Sequence, residues 1–422
     1  MNKREVYVLD CETISALGFG SLTLKKRIED NFSAVAPITQ FPPDGLSQGE
    51  ACEVKEDVLS MIQAVDDLWY ETALNDRKFA LWAALVQKNK VSIIEQMAHF
   101  EKNRVGVVMG LGANAFPVQN ITLGIQEPSA IGLFKHIETI NRMNGLKGNS
   151  IFNHADIYAH YLQQCTRELG YSKNVLTACS SSTQAIAFAA ARIMADEADL
   201  MIVGGTDSII NQFAYISFGK LGVLTDKTCR PFDINRSGAI AGECAGYTVL
   251  VSEQGLKHLQ REPKYQLLGF GNSLDAYKIT APDPSGYGVE RAMRKSLTMA
   301  GLEPHEIDYI NAHGTGTRSN DEVELRAIER IAGESASSIH VSSTKDRHGH
   351  AIAAAGILEF HVLLSSMDME LVPSNLNLQK PIDTPLILPI EGNISKKIRF
   401  GMTNNFAFGG VNCSLTVKNL KL

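Results

Sequence analysis

The stretch NVLTACSSSTQAIAFAAARI, residues 174–193, carries two different patterns in succession. Its first residues are apolar and β-branched, which predicts a strand ending at Cys179, and its alanine-rich remainder predicts a helix. A helix N-terminus presents free N–H groups and a partial positive charge, so we expect the thiolate form of Cys179 to be favoured there. The thiolate is the nucleophilic form of cysteine. The alternative interpretation is a small buried core cysteine.

Strand and helix patterns alternate along the rest of the chain. Strands are predicted for residues 6–10, 105–110, 175–179, 200–205, 247–252, 265–273, 309–314, 339–344, 398–406 and 414–419. Helices are predicted for residues 182–198, 288–301 and 319–333. This alternation predicts an α/β fold. The strand–helix–strand order around Cys179 is repeated around His313, which indicates two similar halves sharing a cleft.

Composition narrows the class of protein. The chain has 422 residues, of which 44% are apolar and 20% are charged, values typical of a globular protein with a sizeable core. The formal net charge of −6 argues against a general nucleic-acid binder. The seven cysteines are odd in number and widely spaced, so we expect reduced thiols rather than disulfides or a zinc site.

The N-terminal stretch MNKREVYVLDCETISALGFG lacks a secretory apolar region and a cleavage site. The sequence shows no run of about 18 apolar residues, so we expect no membrane span. A cytoplasmic location is the resulting prediction.

A second reactive residue follows another predicted strand, in NAHGTGT (311–317). His313 lies just beyond the apolar run, and the C-terminal ends of strands line the ligand crevice of open α/β sheets. Thr315 and Thr317 offer hydroxyl groups to a polar ligand, and the intervening glycines allow close backbone approach. A turn histidine on the surface is the alternative.

The stretch SSTKDRHGHAIAAAGILEF (342–360) places His350 before a helix of small residues, which predicts tight burial. Lys345 and Glu359 flank His350, and an ion pair between them would hold the loop. A metal site at His348 and His350 is excluded by their spacing and by the lack of further ligands. We therefore interpret His348 as a loop residue.

Adjacent glycines follow two phenylalanines in NNFAFGGVN (404–412). Such glycines let backbone N–H groups turn toward a ligand, as an oxyanion hole requires, although a glycine-rich hairpin is the alternative. One thiol, two imidazoles and an oxyanion-hole candidate together suit acyl transfer followed by carbanion chemistry. This chemistry needs no metal and no redox cofactor.

Seven stretches together resemble the condensing enzymes of the β-ketoacyl-acyl-carrier-protein synthase I/II group, within the thiolase fold. They are TACSSST (177–183), VGGTDS (203–208), RPFDINRSGAIAGECAGYTVL (230–250), SLDAYKITAPDP (273–284), NAHGTGTRSNDEVE (311–324), SSTKDRHGHAIAAAGILE (342–359) and NNFAFGGVN (404–412). The resemblance implies a five-layered αβαβα architecture of two thiolase-like halves. Residues 1–254 would form the half with the nucleophilic cysteine, and residues 255–422 the half with both catalytic histidines.

The resemblance also implies roles for individual residues. Cys179 would accept the acyl group, while His313 and His350 would stabilise the enolate formed when a malonyl thioester loses CO₂. The backbone N–H groups of Cys179 and Phe408 would form the acyl oxyanion hole, and Phe408 would gate the acyl pocket. The product would be a 3-oxoacyl-carrier protein two carbons longer. Supporting and substrate-binding roles would fall to Lys345, Glu359, Thr315, Thr317 and Phe406.

The implied partner is an acyl carrier protein, loaded with an acyl or a malonyl group. Carrier proteins are acidic, so the docking surface should be basic. Arg230, which begins the matched RPFD motif, is the best-supported candidate. The other candidates are Arg77, Lys78, Arg142, Lys147, Lys220 and Lys227. The resemblance also implies a homodimer, or a heterodimer with a paralogous ketosynthase-like chain.

The periphery departs from the family pattern while the catalytic motifs are intact. The usual N-terminal turn is replaced by ETISALGFG (12–20), and Lys278 stands where the family often has histidine. These departures favour a specialised pathway, such as aryl-polyene or other type II polyketide synthesis, over housekeeping fatty-acid synthesis.

Two other functions compete with this one. A thiolase would use a second cysteine near the C-terminus, and Cys413 lies there. A non-catalytic partner subunit resembling a chain-length factor would lack the nucleophile, so the presence of Cys179 argues against it.

Overall fold

The computed structural model describes residues 4–42, 49–62, 67–112 and 154–422. Its strands, in chain order, are β1 Val6–Ser15, β2 Gly18–Phe19, β3 Ala36–Pro37, β4 Glu50–Ala51, β5 Val105–Leu111, β6 Tyr171–Val175, β7 Leu200–Ser208, β8 Glu243–Ser252, β9 Tyr265–Leu274, β10 Tyr309–Asn311, β11 His340–Ser342, β12 Leu371–Val372, β13 Ile394–Ser395, β14 Phe400–Ala407 and β15 Val411–Asn419.

The α-helices are, in the same order, α1 Ser21–Glu29, α2 Asp67–Asn75, α3 Arg77–Met97, α4 Ile157–Cys165, α5 Ser181–Met194, α6 Gln212–Lys220, α7 Glu253–Leu259, α8 Tyr287–Ala300, α9 Arg318–Ala332, α10 Lys345–His348 and α11 Ala355–Met369. Short 3-10 turns, including Ala178–Ser180 and Ile352–Ala354, join several of them.

The central strands form two runs that repeat one arrangement. The first run has the order β6-β5-β7-β8-β1, and the second has the order β11-β10-β14-β15-β9. In both runs the first three strands are parallel and the last two are antiparallel to their neighbours. A short antiparallel contact between β1 and β9 joins the two runs.

Helices fill three layers around these runs. Helices α5 and α11 form the middle layer, because their apolar residues pack in one cluster with residues of strands from both runs. Helix α3 covers the outer face of the first run, and helices α8 and α9 cover that of the second. The predicted five-layered αβαβα architecture is thereby confirmed.

The middle layer depends on small residues. A Cβ atom on Gly110 would lie 2.4 Å from the Cα atom of Ser182, and one on Gly356 would meet Thr183 at 1.9 Å. Glycine is therefore required where helix α5 crosses β5 and where α11 crosses α5. These crossings bring the N-termini of both central helices to the same place.

One stretch of the described residues, Ile352–Met369, is long and apolar enough to cross a membrane, and 89% of it is buried in this protein. It includes helix α11 and carries Glu359 in the protein interior. Its apolar character therefore serves the middle layer of the fold.

Candidate active site

Cys179 lies in a tight turn between strand β6 and helix α5. The strand ends at Val175, Ala178 adopts a positive φ of 49°, and the 3-10 turn Ala178–Ser180 leads into the helix. A positive φ in a residue with a Cβ atom is incompatible with a strand, so the predicted strand to Cys179 ends earlier than expected. The turn places Cys179, buried in the interior, against a pocket.

The thiol of Cys179 contacts one of the two predicted histidines directly. Its Sγ atom lies 3.2 Å from Nε2 of His350, which is also buried. The backbone of His350 is held against the neighbouring segment, since its N–H donates to the carbonyl oxygen of Ile240 at 2.7 Å. The structure therefore brings together a nucleophile candidate and a proton acceptor candidate.

The expectation of a thiolate at rest is wrong. Burial raises the pKa of Cys179 to about 12, although Lys345 and the backbone N–H of Phe408 both lower it. Desolvation of the charged form thus outweighs the favourable field of the helix N-terminus. Burial also holds the pKa of His350 well below its usual value, with Lys345 adding to the effect. At neutral pH the pair is a neutral thiol beside a neutral imidazole, which can accept the thiol proton.

His313 lies beside His350 on the same wall of the pocket. The two rings meet edge to face, with centroids 5.4 Å apart. The side-chain amide of Asn405 lies 3.5 Å from Nδ1 of His313, an arrangement in which Nδ1 accepts and Nε2 carries the proton. Burial lowers the pKa of His313 well below its usual value, so the ring is a neutral donor.

Lys345 and Glu359 form the predicted ion pair, and both are about 1% exposed. The Lys345 ammonium also donates to the carbonyl oxygen of His313 at 2.5 Å, and Glu359 accepts from Asn405 at 2.7 Å. The pair therefore connects helix α11 to the segments that carry both histidines. Burial raises the pKa of Glu359, and the Lys345 ammonium opposes this rise.

The Phe408 loop closes the site from another side. The backbone N–H of Phe408 interacts with the thiol of Cys179, and Gly409 and Gly410 follow with positive φ values of 83° and 73°. Only glycine adopts such values without strain, so these residues let the N–H group of Phe408 turn inward. The structure therefore places this N–H group beside the thiol.

Cys179 lines a pocket whose wall is partly apolar and partly polar. One part is apolar and is lined by Ile209, Phe218, Val223, Leu224 and Ile352. The other part is polar and is lined by Asp275, Thr280, Thr315, Thr317, Ser319 and Asn320. A mixed lining of this kind suits a ligand that has both an apolar and a polar part.

Both predicted threonines and both phenylalanines lie at this pocket. The hydroxyl groups of Thr315 and Thr317 are 2.9 Å apart. Phe406 contacts the ring of His313 at a centroid distance of 5.9 Å. Phe408 stacks on Phe218 with a centroid distance of 6.4 Å and an interplanar angle of 16°. Both rings of this pair line the same pocket as Cys179.

The basic residues proposed for docking differ in their surroundings. Arg230 is half-buried and donates to Gln379 at 3.0 Å, while Lys220 and Lys227 are exposed. Arg77 donates to the buried carboxylate of Glu243 at 2.7 Å. Lys78 is buried, so a docking role for it is wrong. Arg142 and Lys147 lie outside the described residues.

Two polar residues of the site escaped the sequence analysis. The carboxylate of Glu324 accepts the backbone N–H groups of His313 and Gly314, both at 2.8 Å. Asn405 bridges Glu359 and His313 and also accepts the hydroxyl hydrogen of Thr183. The sequence places Glu324 one turn into the helix after NAHGTGT and Asn405 beside Phe406, but it shows no contact for either.

Family models match most of the described chain. The model "Beta-ketoacyl synthase, N-terminal domain" matches residues 89–255, and "Beta-ketoacyl synthase, C-terminal domain" matches residues 266–379.

Curated relatives match over different lengths. Nodulation protein E of Rhizobium leguminosarum bv. trifolii is 31% identical over 99% of this chain and 100% of its own length. A 3-oxoacyl-[acyl-carrier-protein] synthase 2 of Coxiella burnetii is 29% identical over 100% of both chains. Nodulation protein E of Rhizobium meliloti is 39% identical over 58% of this chain, an alignment that spans only 61% of that relative.

Solved structures share the fold. "The ishigamide ketosynthase/chain length factor" superposes with a TM-score of 0.84 at 25% identity, covering 99% of each chain. A type II polyketide synthase acyl-carrier protein in complex with its ketosynthase, bound to the hexaketide, has a TM-score of 0.81 at 22% identity, with 99% of this chain and 100% of that chain covered.

Proposed function

The chain belongs to the β-ketoacyl synthase family, and from this premise we propose that it catalyses a decarboxylative Claisen condensation on an acyl carrier protein. Cys179 would carry the acyl group, and a malonyl-carrier protein would extend it by two carbons. The observation that carries the proposal is the 3.2 Å contact between Cys179 Sγ and His350 Nε2. His313 lies beside His350 on the same pocket wall.

In the first half-reaction the acyl group moves to Cys179. Nε2 of His350 takes the thiol proton as Sγ attacks the thioester carbonyl, and the oxyanion is bound by the N–H groups of Cys179 and Phe408. The intermediate collapses with cleavage of the carrier thioester bond, and the carrier sulfur leaves with the proton held by His350. This restores the neutral imidazole.

In the second half-reaction the malonyl thioester loses CO₂. The electron pair of the broken C–C bond moves onto the thioester oxygen, giving an enolate that Nε2–H of His313 and His350 stabilise. The enolate carbon attacks the acyl carbonyl on Cys179, and the thiolate leaves as the C–S bond breaks. The thiolate then takes up one proton from water, because a malonyl carboxylate that loses CO₂ leaves none behind. Among the described residues, Nδ1 of His350 has no hydrogen-bond partner, so no neighbour prevents Nε2 from serving as acceptor in one step and donor in the next.

Substrate contacts follow from the two parts of the pocket. The apolar part beyond Phe218 suits the acyl chain, and Thr315 and Thr317 in the polar part suit the extended carrier arm with its amide groups. Phe406 packs against the ring of His313. Arg230 is proposed to contact the acidic carrier outside the pocket.

The proposal extends to partners, organisation and location. We propose a dimer, either of two identical chains or with a paralogous ketosynthase-like chain, in the cytoplasm. We further propose two halves, residues 1–254 and 255–422, although helix α7 crosses that boundary. The departures at residues 12–20 and at Lys278 favour a specialised pathway such as aryl-polyene or type II polyketide synthesis.

The thiolase alternative is weakened by the position of Cys413. This cysteine is fully buried in the middle-layer cluster, while its neighbour Asn412 faces the pocket. Successive residues of a strand point to opposite faces, so β15 turns Cys413 away from Cys179. The chain-length-factor alternative is weakened because a partner without catalysis needs neither the Cys179–His350 contact nor His313.

The deciding experiment is elongation in vitro with several acyl-carrier proteins and a malonyl-carrier protein, followed by mass spectrometry of enzyme and product. We expect an acyl adduct on Cys179, release of CO₂ and a 3-oxoacyl product. A chain that condenses acyl-CoA without releasing CO₂ would be a thiolase. A chain that takes up no acyl group yet binds a paralogue would be a non-catalytic partner.

A further inference from the structure

The catalytic pair is held by two turns that each contain a strained residue. Ala178, just before Cys179, has a φ of 49°, and Ile352, two residues after His350, has a φ of 44°. Such positions cost about 1–3 kcal/mol each for residues with a side chain, so their surroundings must hold them in place. Both turns pack in one apolar cluster that includes Cys179 and Ile352.

A buried carboxylate fixes the second of these turns. Asp207, near the end of β7, is 2% exposed, and its Oδ2 atom accepts the backbone N–H of Ala353 at 3.1 Å. Its Oδ1 atom accepts the backbone N–H of Ser208 at 2.9 Å. A Cβ atom on Gly112 would lie 2.4 Å from Oδ2, so a glycine is needed for the carboxylate to fit. Asp207 does not line the pocket.

The charge on Asp207 is only partly compensated within the interior. Burial raises the pKa of this carboxyl group and the ammonium of Lys78 lowers it, while Asp76 raises it. The negative charge of Asp207 also acts on Cys179. Burial is the main cause of the raised pKa of Cys179, Asp207 and Glu359 raise it further, and Lys345 lowers it. Lys78, which the sequence suggested for docking, therefore faces Asp207 in the interior.

We propose that Asp207 is a positioning residue, whose bond to the Ala353 N–H holds the His350 turn against the Cys179 turn. Without that bond the strained Ile352 can relax, and His350 moves with it. A displacement of about 1 Å can cost about a hundredfold in rate, so the contact controls proton transfer from the thiol. The inference rests on the proposed function for the identity of the catalytic pair.

The test compares Asp207→Ala with Asp207→Asn. Both variants lack the negative charge, but only the asparagine retains an oxygen for the Ala353 N–H, with its amide nitrogen then facing the Ser208 N–H. The ratio of the rates of acyl uptake by the two variants is therefore independent of the effect of the Asp207 charge on the Cys179 thiol. We expect acyl uptake by Asp207→Asn to be about tenfold faster than by Asp207→Ala, with the same KM for the acyl carrier. Equal rates in the two variants would overturn the proposal.

A second measurement needs no carrier and no malonyl thioester. Iodoacetamide alkylation of Cys179, followed on its own peptide by mass spectrometry, depends on His350 accepting the thiol proton. We expect the alkylation rate of Asp207→Asn to be flat from pH 6.5 to 8 and to fall below pH 6.5. In Asp207→Ala the rate should instead climb steadily from pH 6 to 9, because its thiol must ionise without a base. If both variants keep the flat region from pH 6.5 to 8, His350 has not moved and the proposal fails. A wild-type chain that is alkylated but never acylated would contradict the proposed function alone.

Asp233 provides a matched control. It is fully buried, and its carboxylate accepts the backbone N–H groups of Gln379 and Lys380 at 2.9 and 2.7 Å. Asp233→Ala and Asp233→Asn should differ in thermal stability and not in the alkylation profile. If the alkylation rates of these two variants also differ tenfold, the effect seen at Asp207 is due to a general loss of structure. The positioning role is then refuted.

Discussion

The Sγ atom of Cys179 lies 3.2 Å from Nε2 of His350, although 171 residues separate them in the chain. The contact joins the N-terminal turns of the two middle-layer helices. Burial raises the pKa of the thiol to about 12 and holds that of the imidazole well below its usual value. The pair therefore acts by proton transfer during attack rather than as a thiolate formed beforehand.

This pairing predicts the pH dependence of acyl uptake. Protonated His350 cannot accept the thiol proton, so the rate falls as pH drops through the pKa of His350. Because that pKa is lowered from 6.5, the fall occurs below pH 6.5 and the rate is flat from there to about pH 8. Single-turnover acylation measured across pH checks this. A rate that climbs steadily from pH 6 to 9 would indicate a thiol that must ionise without a base.

Removal of the nucleophile should separate the two half-reactions. Cys179→Ala should take up no acyl group, since the atom that forms the thioester is gone, yet it keeps His313 and His350. We therefore expect this variant to release CO₂ from malonyl-carrier protein within about tenfold of the wild-type rate. Intact-protein mass spectrometry and CO₂ release measure the two steps. Product formation at the normal rate by Cys179→Ala would refute the scheme.

Alanine substitutions of the two histidines should slow different steps of the reaction. His313→Ala keeps the Cys179–His350 contact, so acylation should stay within about threefold of wild type while decarboxylation falls about a hundredfold, as for loss of one oxyanion donor. His350→Ala should slow both steps. His340→Ala is a suitable control, because His340 lies on β11 away from the pocket lining. Equal losses of acylation in the two active-site variants would contradict this division.

The sequence alone predicted the fold, and it singled out three residues that the structure places at one pocket, because the motifs that carry them are local. The strand and helix patterns mark the layers, and the resemblance identifies Cys179, His313 and His350. The ionisation of Cys179 could not be predicted in this way, because it depends on burial by residues far apart in the chain. The strand predicted before Cys179 was extended too far, because apolar and β-branched residues continue to Thr177. The positive φ of Ala178, which ends the extended conformation, is imposed by the fold.

One physical cause explains why the sequence did not predict the contacts of several polar residues. His348 was interpreted as a loop residue, yet it is buried at the end of α10 and bonded to Thr344 and to the carbonyl oxygen of Gly349. Glu324 and Asn405 likewise act through backbone and side-chain contacts between distant segments. Polar residues that support a site through contacts between distant segments produce no hydrophobic periodicity in the sequence. Only the three-dimensional contacts therefore reveal them.

The ring of Phe218 should limit the length of the acyl chain. It lines the apolar part of the pocket and stacks on Phe408, so a smaller side chain opens space beyond the thiol. Phe218→Ala should accept acyl groups about two to four carbons longer, since each buried CH₂ contributes about 0.8 kcal/mol. Competition among acyl-carriers of different length, scored by product mass, measures the shift. An unchanged length optimum with uniformly lower activity would show that Phe218 only supports the fold.

The Lys345–Glu359 pair should behave as one unit. Both side chains are about 1% exposed, so Lys345→Met leaves a buried carboxylate without its cation and should cost about 3–5 kcal/mol of stability. Glu359→Gln leaves the ammonium buried and should cost a similar amount. The double variant should lose clearly less than the sum, because neither charge is left alone. Denaturant unfolding of the four proteins gives the coupling energy. Additive losses would mean that the two charges do not interact, and the link between helix α11 and His313 would then come from Asn405, which donates to Glu359 and contacts Nδ1 of His313.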